Sequence, residues 1–473
     1  MKPPRLTTLV AAATLATAGS LLAQPDPPKF QEVTVHDPMV VRDGDMFYVF
    51  GSHLATAKSR NLMAWEKIAD GVRDGNPLIP NVTREMREAL EWSQTKTFWA
   101  GCVAQLRDGR FYFYYSTCKG DSPRAALGLA VADHVEGPYR HQAILLRSGM
   151  WNQPSEDGTV YDATIHPNAI DPHVFYDHSG KLWMVYGSYS GGIFILAMDE
   201  TSGRPIDGQG YGKKLLGGNH SRIEAPYILF NPQTKYYYLF LSFGGLDSRG
   251  GYNIRVARSR NPDGPYVDRQ GNEMINAHGP AGSFFDDAAI EPYGAKLIGS
   301  FQWLEGEEGK ANGYVSPGHN SACYDPGRDK YFIFFHTRFP GTGEMHQVRV
   351  HQLLFNARGW PVIAPHRYAG ERLDRHTSEA IPGEYQFINH GRKISPEIIE
   401  AQRIRLETGG EISGAVRGSW KRTGDNEITL TIDGTEYSGV LLRQWDQSRG
   451  HTTLTFSALS DKGIAIWGSA IKR

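Results

Sequence analysis

The sequence predicts an all-β protein, a five-bladed β-propeller followed by a small β-barrel or β-sandwich domain. Composition is the first indication, because 53 glycines, 23 tyrosines and 21 phenylalanines among 473 residues are typical of many short strands joined by tight turns. The second is a hairpin pattern that recurs along the chain and stops near Gly370. A chain of this length can also bury a sizeable core and hold more than one domain.

The hairpin pattern is clearest between Asp171 and Ser188. A carboxylate precedes a short apolar strand, a Ser-Gly turn follows, and an aromatic-rich strand ends in Gly-Ser. Similar hairpins begin at Asp37, Gly101, Asp171, Glu224 and His319. Because the single sheet of a propeller blade cannot bury both of its faces alone, these copies should pack radially around an axis. Their first residues would then meet at one end of that axis.

The segments between the hairpins complete the predicted elements. Third strands are expected at residues 127–132 and 254–259, each followed by a chain reversal at Gly-Pro-Tyr. One short surface helix is predicted over residues 81–92, with Thr83 as its N-cap. Beyond Gly370, period-two alternation with an Asp-Gly turn indicates a separate second β domain.

The N-terminus has the pattern of a secretory signal. A basic start, a short apolar stretch and small residues predict a signal peptide over residues 1–23, cleaved after Ala23 or alternatively after Ala18. A membrane anchor is the alternative, although the segment is short for a span. We expect the propeller to occupy residues 24–369 and the C-terminal β domain residues 370–473.

Charge and cysteine content limit the possible partners and cross-links. Lys and Arg number 50 and Asp and Glu 51, so nothing in the charge indicates nucleic acid or an anionic membrane, and we expect neither as a partner. The three cysteines cannot all pair and make no disulfide framework. Cys102 and Cys118 flank one hairpin turn and could face each other across it, or both could be buried free thiols.

Three of the five first residues are acids: Asp37, Asp171 and Glu224. An acid at a strand start is often only a turn cap. Three acids at the same point of a repeat indicate more, because carboxylates in a partly dehydrated pocket repel each other and divide into a protonated acid and an ionised base. Glycoside hydrolysis requires such a pair.

At these residues the sequence resembles glycoside hydrolase family 43 and, within it, the endo-α-1,5-L-arabinanases that carry an extra C-terminal β domain. The resemblance rests on Val-His-Asp-Pro at residues 35–38, Asn-Ala-Ile-Asp-Pro-His at residues 168–173, Gly-Ser-Tyr-Ser-Gly-Gly at residues 187–192 and Arg-Ile-Glu-Ala-Pro-Tyr at residues 222–227. It spans about residues 33–368. The family's five-bladed propeller agrees with the number of hairpin copies.

The resemblance implies a role for each charged first residue. Asp37 would be the general base that activates water, Glu224 the general acid, and Asp171 the residue that raises the pKa of that acid and orients it. Members of the family invert the anomeric carbon, which requires roughly 6.5–9.5 Å between the carboxyl groups of base and acid. His319 would help to hold calcium or another ion on the axis, although a lone histidine is more often a hydrogen-bonded structural residue.

Five further residues are candidates for substrate binding. Trp99 and Phe98 could form a wall that stacks on a sugar ring, or could pack in the core. His36 and His173 flank two of the acids and could bond either the acids or the sugar. Arg338 could pair with Asp171 or with a sugar hydroxyl, or could form an ordinary surface ion pair.

The sequence therefore predicts a secreted or periplasmic, monomeric, inverting endo-arabinanase that cuts internal α-1,5 links of arabinan, as found in pectin side chains. The loop at residues 187–192 favours endo action, whereas an insertion at residues 147–162 could block one end of the cleft. An exo-acting α-L-arabinofuranosidase or a β-xylosidase would use the same acids. A non-catalytic carbohydrate-binding propeller, or a scaffold whose C-terminal domain binds polysaccharide, is a further alternative.

Overall fold

The computed structural model describes residues 27–304 and 312–471. This part of the chain forms five propeller blades and a closed eight-stranded barrel, so the predicted fold is confirmed. The predicted signal peptide lies outside the described residues.

The first two blades are four-stranded antiparallel sheets with their strands in chain order. Their strands are β1 (Met39–Asp43), β2 (Met46–Phe50), β3 (Thr56–Ser59) and β4 (Glu66–Ala69), then β5 (Trp99–Gln105), β6 (Phe111–Cys118), β7 (Ala125–Ala132) and β8 (Arg140–Ser148). In each blade the first strand starts the repeated hairpin. The third strand predicted in the second blade is therefore confirmed as β7.

The next two blades repeat this arrangement. Their strands are β9 (His173–Tyr176), β10 (Leu182–Tyr186), β11 (Ile193–Met198) and β12 (Lys213–Leu216), then β13 (Ile223–Asn231), β14 (Tyr236–Phe243), β15 (Asn253–Ser259) and β16 (Ala295–Ile298). The strand predicted at residues 254–259 is β15. Aromatic side chains fill both faces of β14, whose residues are buried from Tyr237 onwards, because neighbouring blades cover the sheet on each side.

The fifth blade is joined to the second domain. Its own strands are β17 (Phe301–Gln302), β18 (Gly313–Asp325), β19 (Lys330–Arg338), β20 (His346–Phe355) and β21 (Pro361–Ile363). A sixth strand, β23 (Ile399–Glu400), pairs in parallel with β17 and comes from the connection between two barrel strands, Gly383–Asn389 and Gln402–Leu406. The second domain is therefore not wholly separate from the propeller, since it contributes one strand to a blade.

The C-terminal domain closes on itself as a barrel. Its strands are β22 (Gly383–Asn389), β24 (Gln402–Leu406), β25 (Glu411–Gly414), β26 (Gly418–Arg422), β27 (Glu427–Ile432), β28 (Thr435–Asp446), β29 (His451–Ser460) and β30 (Ala465–Ala470). The predicted Asp-Gly hairpin joins β27 and β28, and Asp433 and Gly434 have the positive φ values of 48° and 75° that a tight turn of this kind needs. Closure leaves no free sheet edge.

The described residues contain little helix. The α-helices are α1 (Val82–Glu85), α2 (Arg87–Trp92) and α3 (Asp287–Ile290), and 3-10 turns occur at Ser52–Leu54, Met274–Asn276 and Ser378–Ala380. The single helix predicted over residues 81–92 is wrong in two respects. It breaks at the buried Met86, and Thr83 lies inside α1, where its hydroxyl donates to Asp74 instead of capping. Within the described ranges, no helix is both long and apolar enough to cross a membrane.

The strands that begin the five repeated hairpins, which we call the first strands, surround the axis; in the fifth blade this strand is β18. Each of these strands contacts the next, in the order β1, β5, β9, β13 and β18, and β18 contacts β1, which closes the ring. One buried apolar cluster contains a residue of every first strand: Met39, Cys102, Val174, Tyr227 and Ala322. The five hairpin starts are thereby brought to one end of the propeller, as the repeat predicts.

The cysteines are not bonded to each other. Cys102 pairs with Tyr114 across the β5–β6 hairpin, whereas Cys118 lies at the far end of β6, so the register separates the two thiols. All three cysteines are free, and Cys102 and Cys118 are buried. The alternative of two buried free thiols is therefore the correct one.

Candidate active site

A cleft of about 1090 Å³ opens at the end of the axis where the hairpins begin. Asp37, Asp171, Glu224 and His319 all line it, so the structure brings together the four charged residues that head the blades. All four are buried, with at most 7% of their surface exposed. Since buried charges are costly unless they are paired, this cluster has a purpose other than stability.

The backbone at these positions adopts an uncommon conformation. Asp37, Asp171 and His319 have φ values of 58°, 58° and 47°, and Ala225, directly after Glu224, has a φ of 54°. Left-handed φ in a residue other than glycine costs of order 1 kcal/mol or more and is concentrated at functional sites. Four such residues at the same end of the propeller indicate that the chain is held there for a function.

Asp37 lies in a positively charged environment. Its carboxylate contacts Nδ1 of His36 at 2.8 Å and Nδ1 of His319 at 3.1 Å, and it accepts a hydrogen bond from the hydroxyl of Ser52. Burial raises the pKa of Asp37, but the charges of His319 and His36 outweigh burial and hold the pKa well below its usual range. Asp37 is therefore ionised at neutral pH, as a general base must be.

Glu224 is oriented by two hydroxyl donors. Tyr252 donates to Oε1 at 2.6 Å and Ser188 donates to Oε2 at 2.7 Å. The Tyr252 ring lies directly against the backbone of Gly318, where an added Cβ would approach within 2.0 Å of the ring. A glycine at position 318 is therefore required for this ring position.

Asp171 has the opposite electrostatic environment to Asp37. Burial raises its pKa well above the usual range, and the neighbouring charges of Glu224 and Asp37 add to this effect, while His319 opposes it. One carboxylate oxygen accepts a hydrogen bond from the backbone N–H of Ala225 at 3.4 Å. Within the acidic cluster, Asp171 therefore keeps its proton while Asp37 is ionised.

His319 lies among the three carboxylates. Burial lowers its pKa, but Asp37 and Asp171 raise it more strongly, to about 9. Its Nδ1 faces Asp37, whereas its buried Nε2 has no hydrogen-bond partner among the described residues. A free ring nitrogen beside three acids fits a cation ligand, and a bound cation would replace the proton that this nitrogen otherwise carries.

A second histidine group lies beside Asp37. His36, Asp37 and His336 lie close enough to hold a metal ion. However, Nδ1 of His336 accepts the backbone N–H of Asp37 at 3.1 Å, and the rings of His36 and His336 stack 4.0 Å apart. These contacts make His336 a support for the loop that carries Asp37.

Of the two residues predicted to form an aromatic wall, only Trp99 faces the cleft. Trp99 lines the cleft, and its indole N–H donates to the carbonyl of Cys118 at 2.9 Å. Phe98 is fully buried and packs on Tyr115, with 5.4 Å between ring centroids. A role for Phe98 in sugar stacking is therefore wrong, because successive side chains of an extended segment point to opposite faces and only that of Trp99 faces the cleft.

His36 lies where predicted, but His173 and Arg338 do not face the cleft. His173 is buried against Tyr227, with ring centroids 3.6 Å apart, and burial lowers its pKa to about 3. Its Nδ1 accepts the N–H of Ile228, so it holds two first strands together. Arg338 is buried and pairs with Glu344 instead of Asp171, because that partner lies six residues along the same turn.

Sequence reasoning did not single out the hydroxyl groups that hold the charged residues. Ser52 and Ser188 occupy the Gly-Ser end of the repeated hairpin and donate to Asp37 and Glu224, respectively. In the fourth blade, Ser242 at the corresponding strand end accepts the N–H of His319 at 2.8 Å. The recurrence of serine at this position was the signal that could have identified them, whereas Tyr252 follows no repeat.

Comparison with known proteins agrees with this site. Residues 30–289 match the glycosyl hydrolases family 43, and residues 365–468 match its C-terminal lipocalin-like domain. The extracellular endo-α-(1→5)-L-arabinanase 2 of Bacillus subtilis is 58% identical over 442 residues, which cover 93% of this chain and 94% of the relative. The extracellular endo-α-(1→5)-L-arabinanase of Thermotoga petrophila is 53% identical over 467 residues, which cover 97% and 98%, respectively.

Solved structures give the same relationship. The crystal structure of the Thermotoga petrophila endo-1,5-α-L-arabinanase superposes with a TM-score of 0.90 and covers 94% of this chain and 100% of that chain. A family 43 glycoside hydrolase, the YxiA protein of Bacillus licheniformis, is 60% identical and superposes with a TM-score of 0.92 at the same coverage. The chain therefore belongs to glycoside hydrolase family 43.

Proposed function

We propose that this protein hydrolyses internal α-1,5-L-arabinofuranosidic linkages of arabinan with inversion at the anomeric carbon. The observation that carries the proposal is the cleft, which brings together an ionised Asp37, Asp171 with a raised pKa and Glu224 around His319. Near full-length identity of 58% and 53% to two proteins named endo-arabinanases supports arabinan as the polysaccharide.

In the proposed reaction, Asp37 takes a proton from a water molecule while the oxygen of that water attacks the anomeric carbon. The bond from that carbon to the glycosidic oxygen breaks, and Glu224 gives its proton to the leaving oxygen. The new hydroxyl therefore lies on the opposite face of the sugar. Exchange with solvent then returns a proton to Glu224 and removes one from Asp37.

Asp171 and His319 control the charge around Asp37 and Glu224. Asp171, whose pKa is raised, keeps a proton beside Glu224, while Asp37 remains ionised. The positive charge at His319 holds Asp37 in its ionised form. Removing either residue should therefore change the pH range of activity as well as the rate.

We also propose that Nε2 of His319 is a ligand of calcium or another cation on the propeller axis. Support comes from the buried nitrogen without a partner in the described chain and from the three carboxylates around it. When bound, the cation would supply positive charge that stabilises the ionised carboxylates. Histidine is an unusual calcium ligand, and the other ligands of calcium would be oxygen atoms.

We further propose that the protein is exported, to the periplasm or the medium, and acts as a monomer. The two relatives with 58% and 53% identity are named extracellular. Size-exclusion chromatography with light scattering would test the oligomeric state. A stable dimer would contradict it.

Endo action is tested by sizing the products from debranched arabinan early in the reaction. An endo enzyme releases a mixture of oligosaccharides and lowers the viscosity rapidly, whereas an exo enzyme releases one small product. The same samples should be compared on an aryl arabinofuranoside and an aryl xyloside. Release of arabinose alone would favour the exo alternative, and hydrolysis of the xyloside alone would favour the xylosidase.

A further inference from the structure

Two phenylalanines are exposed on the rim of the cleft. Phe284 is 67% exposed and Phe285 is 42% exposed, and both line the cleft that contains the acids. Exposed aromatic rings cost solubility and free energy unless a ligand covers them. We call Phe284 and Phe285 the phenylalanine platform.

The phenylalanine platform is held firmly from behind. Its two rings stack with centroids 4.0 Å apart, and Phe285 also contacts the Tyr189 ring at 5.5 Å. The guanidinium of Arg222 lies 5.8 Å from the centroid of the Phe285 ring and forms a two-point ion pair with Asp287 in α3. Rings fixed in this way lose little conformational entropy when a ligand binds.

The backbone conformation of Phe285 also indicates that the phenylalanine platform has a function. Phe285 has a φ of 58°, an outlier for a bulky residue. The turn that contains it is closed by Asp286, whose side chain accepts the N–H of Ala289, and by the buried Ile290. A strained conformation that exposes two aromatic rings is expected where the exposure has a use.

The phenylalanine platform lies on the Glu224 side of the cleft. Tyr189, which contacts Phe285, directly follows Ser188, which donates to Glu224. Trp99 lies near the first blade, since its ring is 6.1 Å from that of His53, in the same blade as Asp37. Trp99 and the phenylalanine platform therefore lie in different parts of the cleft.

The reaction chemistry gives this arrangement a direction. In an inverting displacement, the base, the water, the anomeric carbon, the leaving oxygen and the acid follow one another roughly in line. The leaving half of the chain is attached to the oxygen that the acid protonates. Sugars of the leaving half therefore extend toward the Glu224 side of the cleft.

We propose that the phenylalanine platform binds an L-arabinofuranosyl residue of the leaving half of the arabinan chain by stacking on its apolar C–H face. His220 contacts Phe284 with 5.1 Å between ring centroids and also lines the cleft, so it offers a ring nitrogen to a sugar hydroxyl. This inference rests on the proposed function, because it assumes cleavage between Asp37 and Glu224.

The test uses Phe284→Ala, the more exposed position, with two substrates. Arabinohexaose has sugars on both sides of the cleaved bond, whereas an aryl α-arabinotrioside replaces the leaving half with a chromophore. We expect kcat/KM on arabinohexaose to fall about tenfold and that on the aryl arabinotrioside to stay within about twofold of wild type. Phe284→Trp should retain activity on both substrates, because it keeps a ring.

Binding gives a second readout that does not need turnover. Calorimetry with arabinohexaose on Glu224→Gln, with and without Phe284→Ala, should show about tenfold weaker binding in the double variant. Ile206→Ala is the matched control, because Ile206 is 50% exposed outside the cleft. It should change neither readout.

Different failures have different meanings. Wild-type rates and affinity in Phe284→Ala, or equal losses on both substrates, would overturn the platform but leave the proposed function intact. A wild-type protein that cleaves neither arabinan nor arabinohexaose would overturn the proposed function itself.

Discussion

Tyr252 donates a hydrogen bond from its phenolic hydroxyl to Oε1 of Glu224, with 2.6 Å between the oxygens. The tyrosine is fully buried, and its ring lies against Gly318, one residue before His319. The orientation of Glu224, the proposed general acid in the fourth blade, is thereby coupled to the strand that carries His319 in the fifth. Glu224 is consequently a positioned group and not a freely rotating side chain.

Removing this hydroxyl should reduce turnover without reducing binding. Glu224 becomes a carboxylate as it gives up its proton, and a hydrogen bond to a charged group is worth about 1.5–3 kcal/mol. Because this bond strengthens only in the transition state, Tyr252→Phe should lower kcat by roughly 10- to 100-fold while KM changes little. The loss should be smaller on an aryl arabinotrioside with a good leaving group, which needs less help from the acid. Tyr186→Phe, which removes a different buried hydroxyl bonded to the carbonyl of Tyr211, is the control. A rise in KM alone would argue against positioning.

Asp37 and Glu224, the proposed base and acid, should differ in their dependence on the leaving group. Asp37→Asn and Glu224→Gln should each lower kcat on arabinan by about 10²–10⁴-fold, because each removes one proton transfer. Glu224→Gln should regain much of its activity on the aryl arabinotrioside, whereas Asp37→Asn should not. Equal recovery in both variants would mean that the roles of the two residues are wrongly assigned.

His36 should influence the acid limb of the pH profile. Its charge, together with that of His319, holds the pKa of Asp37 well below the usual range. Because His36→Gln removes this charge, the pKa of Asp37 should rise and Asp37 should become protonated at a higher pH. The acid limb of kcat/KM should therefore move to higher pH, while the rate on the plateau changes less. A limb that stays in place would show that His36 does not act on Asp37.

Chelation tests the axial cation. If Nε2 of His319 is its ligand, exhaustive chelation of wild type should lower activity roughly tenfold or more, and added calcium should restore it. His319→Ala should have low activity that responds neither to chelator nor to calcium. Activity that is unchanged both by chelation and by His319→Ala would exclude the cation.

Lys296 should make stability depend on pH. Its ammonium is buried and donates to the carbonyl of Lys393 at 2.8 Å, and burial, with the nearby charge of Arg255, lowers its pKa to about 7. Between pH 7 and 9 the unfolded chain binds a proton at this lysine that the folded protein releases, so the free energy of unfolding should rise with pH. Relative to Lys296→Met, wild type should gain on the order of 2 kcal/mol over this interval, measured by urea unfolding. A constant difference would contradict the low pKa.

The repeats made the fold and the charged residues predictable. Each hairpin has a strong local pattern, so its first residue could be placed at the axis before any contact was known. The orientation of the neighbouring residues was harder to predict. Adjacent side chains point to opposite faces, and the sequence pattern does not indicate which of them faces the cleft. Trp99 and Phe98 are the clearest example.

Contacts between distant or unpatterned segments could not be predicted. Arg338 forms an ion pair with Glu344 in the same turn, and this contact depends on the geometry of the loop. Tyr252 reaches Glu224 only because Gly318 leaves room for its ring. The phenylalanine platform lies in a segment that is absent from the repeat, and its exposure appears only once the surrounding strands are folded.

The most direct test of the account is the configuration of the newly formed reducing end. Proton NMR, recorded in the first minutes of hydrolysis of debranched arabinan and before mutarotation, distinguishes the anomers. We predict that the β-anomer appears first, because water activated by Asp37 attacks the α-linked carbon from the face opposite the oxygen that Glu224 protonates. Initial accumulation of the α-anomer would contradict the assignment of Asp37 and Glu224 as an inverting pair.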